Sequence, residues 1–206
     1  MALGSIFEAV KYLDQQLGLL RGLKNRLTRD EQKAAQDLDR VLDEVMKVYR
    51  AIDNELGVYL GLDLTDDAER KAARAELLRL ERQPLGERLQ SARGHCHKIA
   101  NIYNRDLTTW IDNVVKGQEA QSLHEVFRYL TLYDLQMLQQ IDELAGWLVP
   151  RASETLTFLD QGDVERAAAL VRSSRLEALP VSQAIAELAQ KVRQAQTEFI
   201  QAAGVV

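Results

Sequence analysis

The apolar side chains of this sequence recur every three or four positions along most of its length. Side chains at that spacing lie on one face of an α-helix, whereas a strand alternates with a period of two. The first two such stripes are Ile6, Val10, Leu13, Leu17, Leu20 and Leu27, and then Leu38, Leu42, Val45, Tyr49, Ile52, Leu56 and Tyr59. No segment keeps the alternation of a strand. The sequence therefore predicts an all-α protein.

Capping and breaking residues set the predicted helix boundaries. A capping box at 28–31, which begins with Thr28, predicts the end of a first helix and the start of a second. Thr65 is expected to cap a long third helix, which Pro84 kinks or breaks because proline lacks an amide and disfavours helical geometry in the preceding residue. A second capping box at 122–125 predicts the start of a fourth helix.

The third helix has the longest predicted apolar stripe. Beyond the disturbance around Pro84 it consists of Leu85, Leu89, Ala92, Cys96, Ile99, Tyr103, Leu107, Trp110 and Val114. Cys96 lies on this stripe, so we expect a buried thiol that packs as a small apolar side chain. A single cysteine also excludes a disulfide within the chain.

The last quarter of the chain is predicted to hold several short pieces. The fourth helix should stop near Pro150, and two short helices over 153–159 and 164–171 should follow, joined by a turn at Gly162. A final long helix is expected to begin at Pro180.

These elements predict a fold class. Short connections force neighbouring helices to run in opposite directions, so we expect an antiparallel bundle of four or more long helices, with short helices after Pro150 and a final long helix. One domain over 1–206 is expected, with a C-terminal helical subdomain over 150–206 as the alternative.

The charge composition of the chain limits the kinds of partner that it is expected to bind. The 206 residues carry 31 acidic and 26 basic side chains, which are interspersed and give a net charge of −5. Nucleic acid is not the expected partner, because a phosphate-binding surface clusters Lys and Arg. The longest stretch free of charged residues is 178–186, well short of the roughly 20 residues that cross a bilayer. The first residues lack the features of a secretory signal, so we expect a cytoplasmic protein without a membrane span.

No metal or cofactor motif is present. His95, Cys96 and His97 bring metal-ligand residue types together, but adjacent helical residues point in different directions, whereas two ligands of one ion suit positions three or four apart. The Glu-x-x-His pairs of di-iron bundles are also missing. We therefore expect no bound metal, no cofactor and no catalytic residue set.

Two short segments resemble known families. Arg88 and His95, with six residues between them, resemble the Arg-x(4–6)-His element of HEPN ribonucleases, which are all-α. That resemblance implies a phosphate contact for Arg88 and a catalytic role for His95. The segment 158–170 is similar to one turn of a tetratricopeptide-type helix pair and to a hairpin of the four-helix sensor domains of bacterial chemoreceptors.

A line of uncharged residues runs beside the apolar stripe of the third helix. Its members, at alternating spacings of four and three, are Gln90, Gly94, His97, Asn101, Asn104 and Thr108. Such a line can form a buried hydrogen-bond network or a surface for a partner, and we favour the buried network. Nearby aromatic and charged residues can join it. The predicted binding residues are His97, Asn101, Asn104, Arg105, Thr108 and Trp110.

The sequence favours a non-enzymatic helical bundle that acts as an interaction or adaptor protein. It should self-associate or bind another protein through a surplus apolar helix face, which requires an exposed apolar or charge-poor patch. One alternative is a HEPN-like ribonuclease. Another is a sensor of a small ligand, with a pocket between helices near Asn101, Asn104 and Trp110.

Overall fold

A computed structural model describes residues 3–28, 31–131 and 133–204, without the side chains of residues 86, 88, 133–135, 137 and 138. The predicted all-α bundle is confirmed, since these residues form helices and no strand. The α-helices are α1 Gly4–Gly22, α2 Gln32–Gly61, α3 Asp67–Arg82, α4 Leu85–Arg88, α5 Gln90–Ile102, α6 Thr108–Val114, α7 Gly117–Thr131, α8 Tyr133–Asp160 and α9 Val164–Ala202. A 3-10 helix, Leu23–Arg26, follows α1, and a π-helical turn, Tyr103–Leu107, joins α5 to α6.

The last helix organises the bundle. It spans 39 residues and packs against α1, α2 and α8. Ion pairs from Asp14 to Lys191 and from Arg21 to Glu198 show that α1 and α9 run in the same direction. The other face of α2 packs against α5, and α8 packs against α3. The first two predicted stripes are buried in these interfaces, together with Leu77, Phe127, Trp147 and Phe199.

The sequence predicts a kink or a break in the third helix at Pro84, and the structure shows a break. Helix α3 ends at Arg82, and Gln83 has extended backbone angles, φ −98° and ψ 118°, which is the conformation favoured before proline. The predicted cap at Thr65 is wrong. The cap is Asp66, whose carboxylate accepts hydrogen bonds from the amides of Ala68 and Glu69.

The helix boundaries predicted at 122–125, Pro150 and Pro180 are also wrong. Helix α7 begins at Gly117, so the expected capping box at 122–125 lies within it. Pro150 lies inside α8 and Pro180 inside α9, so the two short helices expected between them are parts of longer ones. An internal proline costs about 3 kcal/mol. The buried side chains on both sides of each proline outweigh that cost, and they include Leu148 and Ala152 around the first and Ala178 and Val181 around the second.

The turn between α8 and α9 is the one that the sequence predicts. Gly162 has a φ of 76°, in the left-handed region that glycine adopts readily. The carboxylate of Asp163 then accepts a hydrogen bond from the amide of Arg166 at 3.2 Å and caps α9. This short turn makes α8 and α9 an antiparallel pair.

Candidate interaction surface

The predicted polar line lies on the outside of the bundle. Gln90, Gly94, His97, Asn101 and Asn104 are exposed and Thr108 is half-buried. The prediction of a buried hydrogen-bond network is therefore wrong. The apolar stripe of α5 faces α2 and α7, which leaves the neighbouring polar line turned toward solvent.

The π-helical turn explains a second difference between the prediction and the structure, which is the position of the apolar stripe beyond residue 107. It widens the helix by one residue, and the amide and the hydroxyl of Thr108 both donate to the carbonyl of Tyr103, the hydroxyl at 2.9 Å. Beyond the turn, the stripe expected at Trp110 and Val114 falls one position later, because Ile111 and Val115 are the buried residues.

Thr108, Arg105 and Trp110, which belong to the predicted binding residues, make bonds within the chain. Thr108 holds the π-helical turn, Arg105 pairs with Asp106 at 2.8 Å, and the indole of Trp110 donates to the carboxylate of Glu31 at 3.1 Å. His97, Asn101 and Asn104 share the outer side of this segment. A binding role for the six residues stays a prediction.

A ligand sensor would need a pocket near Asn101, Asn104 and Trp110. The pockets around the loop after α2 and around α9 lie elsewhere. One of about 260 Å³ lies between that loop and α9 and is lined by Asp63, Val171 and Arg175 among others. Neither it nor its neighbours include Asn101, Asn104 or Trp110.

His95, the residue implied as catalytic by the HEPN resemblance, is held between two helices. Its Nδ1 pairs with the carboxylate of Glu44 on α2, which is 8% exposed and also accepts a hydrogen bond from Lys47 at 2.9 Å. The side chain of Arg88 lies outside the described residues. Cys96 is buried, as predicted, and no three described His, Cys, Asp or Glu side chains form a group that could hold a metal ion.

The Glu44 contacts predict a pH-dependent stability. Burial raises the pKa of Glu44, but the hydrogen bonds from Lys47 and His95 outweigh it and leave the pKa below its usual value of 4.5. A carboxylate with a lowered pKa stabilises the fold above its unfolded-state pKa, and that stabilisation is lost as the pH falls through the folded-state pKa. We therefore expect Glu44→Gln to lower the free energy of unfolding by about 2 kcal/mol at pH 7 and to weaken its fall below pH 4.5.

Urea unfolding at pH 7 and in steps down to pH 3 measures both effects. Glu76→Gln is the control, because Glu76 pairs with Arg79 on an exposed surface, where an ion pair contributes little. An acid dependence in Glu44→Gln as steep as in the parent protein would contradict the prediction.

A different surface stands out on α9. Between residues 172 and 187 the exposed side chains of this helix are Arg172, Ser173, Leu176, Leu179, Gln183, Ala186 and Glu187, which we call the α9 outer face. Leu176 is 74% exposed and Leu179 is 45% exposed. Leu60 lies beside them and contributes to a shallow apolar depression.

The charges of this segment point into the bundle. Arg175 and Glu177 are the only charged residues between Arg172 and Glu187. Arg175 donates to the carbonyl of Leu62 at the end of α2. Glu177 accepts hydrogen bonds from Trp147 at 2.9 Å and from Arg151. The exposed residues between the two ends of the α9 outer face are therefore uncharged, while Arg175 and Glu177 lie half-buried beside them.

No protein family, curated protein or solved structure matches this chain. The candidate surface therefore rests on the chain's own geometry. None of the described helices combines the length and the apolarity that a membrane span requires.

Sequence reasoning missed Leu176 and Leu179, although two signals were present. The charge-free stretch 178–186 forms much of the α9 outer face. The spacing from Arg172 through Leu176 and Leu179 to Gln183 is also helical, but it crosses Pro180, where a helix start was expected. Splitting the segment there hid the second stripe.

Proposed function

We propose that this protein is a non-enzymatic helical-bundle interaction protein that self-associates through the α9 outer face. The observation that carries the proposal is the exposure of Leu176 and Leu179 on an otherwise uncharged surface. Charged residues make up 28% of the chain, so an uncharged outer surface across four helical turns is unusual within it.

The α9 outer face exposes apolar side chains to water. An exposed leucine gains about 2 kcal/mol when it is fully buried, and depletion of charge marks the centre of protein interfaces. In this segment the arginine and the glutamate that could solvate the surface serve contacts within the bundle instead. Contact with a second apolar surface removes both leucines from water at little cost in desolvated charge.

The shape of the region favours a protein partner over a small substrate. Ligand pockets are concave and bury most of their ligand, whereas Leu176 protrudes from an open helix face beside a shallow depression. A protruding side chain next to a depression suits a self-complementary contact, in which each copy offers both parts.

Concentration-dependent mass tests the proposal. Sedimentation velocity from about 10 μM to about 1 mM covers the range expected for a small interface. We expect the mass of the parent protein to rise from monomer toward dimer. Leu176→Arg should keep it monomeric throughout, because a buried unpaired charge opposes association.

Leu19→Arg is the matched control. Leu19 is 40% exposed but lies on α1, so this variant should associate like the parent protein. Circular dichroism checks that each variant keeps its helical content. A parent protein that is monomeric at every concentration, or a Leu19→Arg variant as monomeric as Leu176→Arg, would overturn the proposal.

A further inference from the structure

We infer that two copies of this chain pair through α9 in antiparallel orientation, with Leu176 of each copy against the partner's Leu179. The inference rests on the proposed function and adds to it the register and direction of the contact. It follows from the spacing of the exposed residues and from the positions of the charges that end the α9 outer face.

The spacing is that of a coiled-coil seam. Exposed residues continue in alternating steps of four and three along α9, and they are Glu165, Ala169, Arg172, Leu176, Leu179, Gln183, Ala186 and Gln190. Two helices that meet along such a seam insert the side chains of one into the spaces of the other. The two leucines are the large apolar members, so they set the centre of the contact.

Direction follows from charge. In a parallel pair every residue lies at the level of its own equivalent, so Arg172 of the seam would lie against Arg172, and Glu187, which flanks the seam, would lie near Glu187. In an antiparallel pair with the leucines in contact, the partner's Glu187 falls opposite Ala168. That position lies between Arg166 and Arg172, which are both exposed. The antiparallel arrangement therefore brings Glu187 near two arginines of the partner at both ends of the seam, and Glu165 is the one acidic residue of α9 within a turn of the same position.

Glu187 and Arg166 each form an ion pair within their own chain, but these pairs do not prevent a contact with a second copy. Glu187 lies 4.0 Å from Lys11 of its own chain, and the Glu187 side chain is 64% exposed. Arg166 pairs with Asp163 at 3.3 Å and is itself 72% exposed. Exposed pairs of this kind contribute little, so Glu187 can turn toward the arginines of a second copy without a large loss.

The rest of the antiparallel register fits as well. Ala169 lies opposite the partner's Ala186, which lets the two helices approach closely on both sides of the leucines. Arg172 lies opposite the partner's Gln183, and Glu165 opposite the partner's Gln190, so no charged residue of the seam lies directly opposite a like charge.

Charge reversal tests the direction. Arg172→Glu and Glu187→Arg should each weaken association about fivefold, measured by sedimentation in low salt, because each puts like charges together at both ends of the antiparallel pair. The double variant, Arg172→Glu with Glu187→Arg, restores both opposite-charge contacts with their signs exchanged. Its dissociation constant should return to within about twofold of the parent value.

The possible outcomes separate the two proposals. In a parallel pair the double variant would keep like charges together and would gain nothing over the single variants. Association that Leu176→Arg abolishes but that single charge reversal leaves unchanged would overturn the antiparallel inference while supporting the proposed function. A monomeric parent protein would overturn both.

Discussion

Replacing Trp147 with alanine is expected to lower the free energy of unfolding by about 4 kcal/mol. The indole is 2% exposed and meets the ring of Tyr59 edge-on, with 5.7 Å between the centroids. Its Nε1 donates to Glu177 at 2.9 Å, and the guanidinium of Arg151 lies 4.8 Å from the ring centroid. Truncation therefore leaves a large cavity and also removes a hydrogen bond to a carboxylate.

Urea unfolding followed by circular dichroism measures this loss. Trp147→Phe is the control, because it keeps an aromatic ring in the cavity and removes mainly the hydrogen bond, which should cost about half as much. A loss below about 1 kcal/mol for Trp147→Ala would contradict the tight packing of α8 against α9.

Phe127→Ala should cost about 3 kcal/mol at another place in the bundle. The Phe127 ring is fully buried and stacks on Tyr103, with 4.9 Å between the centroids and 6° between the planes. Arg128→Ala changes an exposed neighbour on the same helix and should alter the free energy of unfolding by less than about 0.5 kcal/mol.

The two truncations together address domain organisation. If residues 1–206 form one domain, both variants shift a single cooperative transition that dichroism and tryptophan fluorescence report alike. A second transition in Phe127→Ala, in which the contact between Trp147 and Glu177 stays formed, would favour a separate C-terminal unit over 150–206.

The helical fold was predictable because burial follows apolar spacing closely. Ile52, Leu56 and Tyr59 are each fully buried, as their shared stripe predicts. The turn at Gly162 was predictable for a different reason, since a positive φ and a following cap leave a clear local signal.

The helix boundaries predicted at Pro150 and Pro180 are wrong because the prediction used only the local preference of proline for helix ends. Pro150 and Pro180 each remove one helical hydrogen bond, which is a local cost. The compensating burial comes from α1, α2 and α8, which lie far from Pro180 in the sequence. The lost hydrogen bond can be read from the local sequence, whereas the burial against other helices cannot.

The candidate surface was harder to predict than the fold. An exposed leucine and a buried one look alike in a sequence, and α9 carries apolar stripes on two faces. Knowing that Arg175 and Glu177 point inward was needed to recognise the other face as uncharged. The polar line of α5 was predicted to be buried and is exposed. Uncharged polar residues such as Asn101 and Asn104 are compatible with solvent as well as with a buried network.

The π-helical turn at Tyr103–Leu107 sets how this region tolerates a change in length. Deleting one residue there would restore regular α-helix, because a π-helical turn holds one residue more than α-helical geometry needs. Ile111 and Val115, now 0% and 1% exposed, would then take the places of residues 110 and 114 on a regular stripe and would stay turned toward the interior. A single-residue deletion in this short segment should therefore be tolerated better than one within α5, where the loss of a residue turns the residues that follow by roughly 100° about the axis.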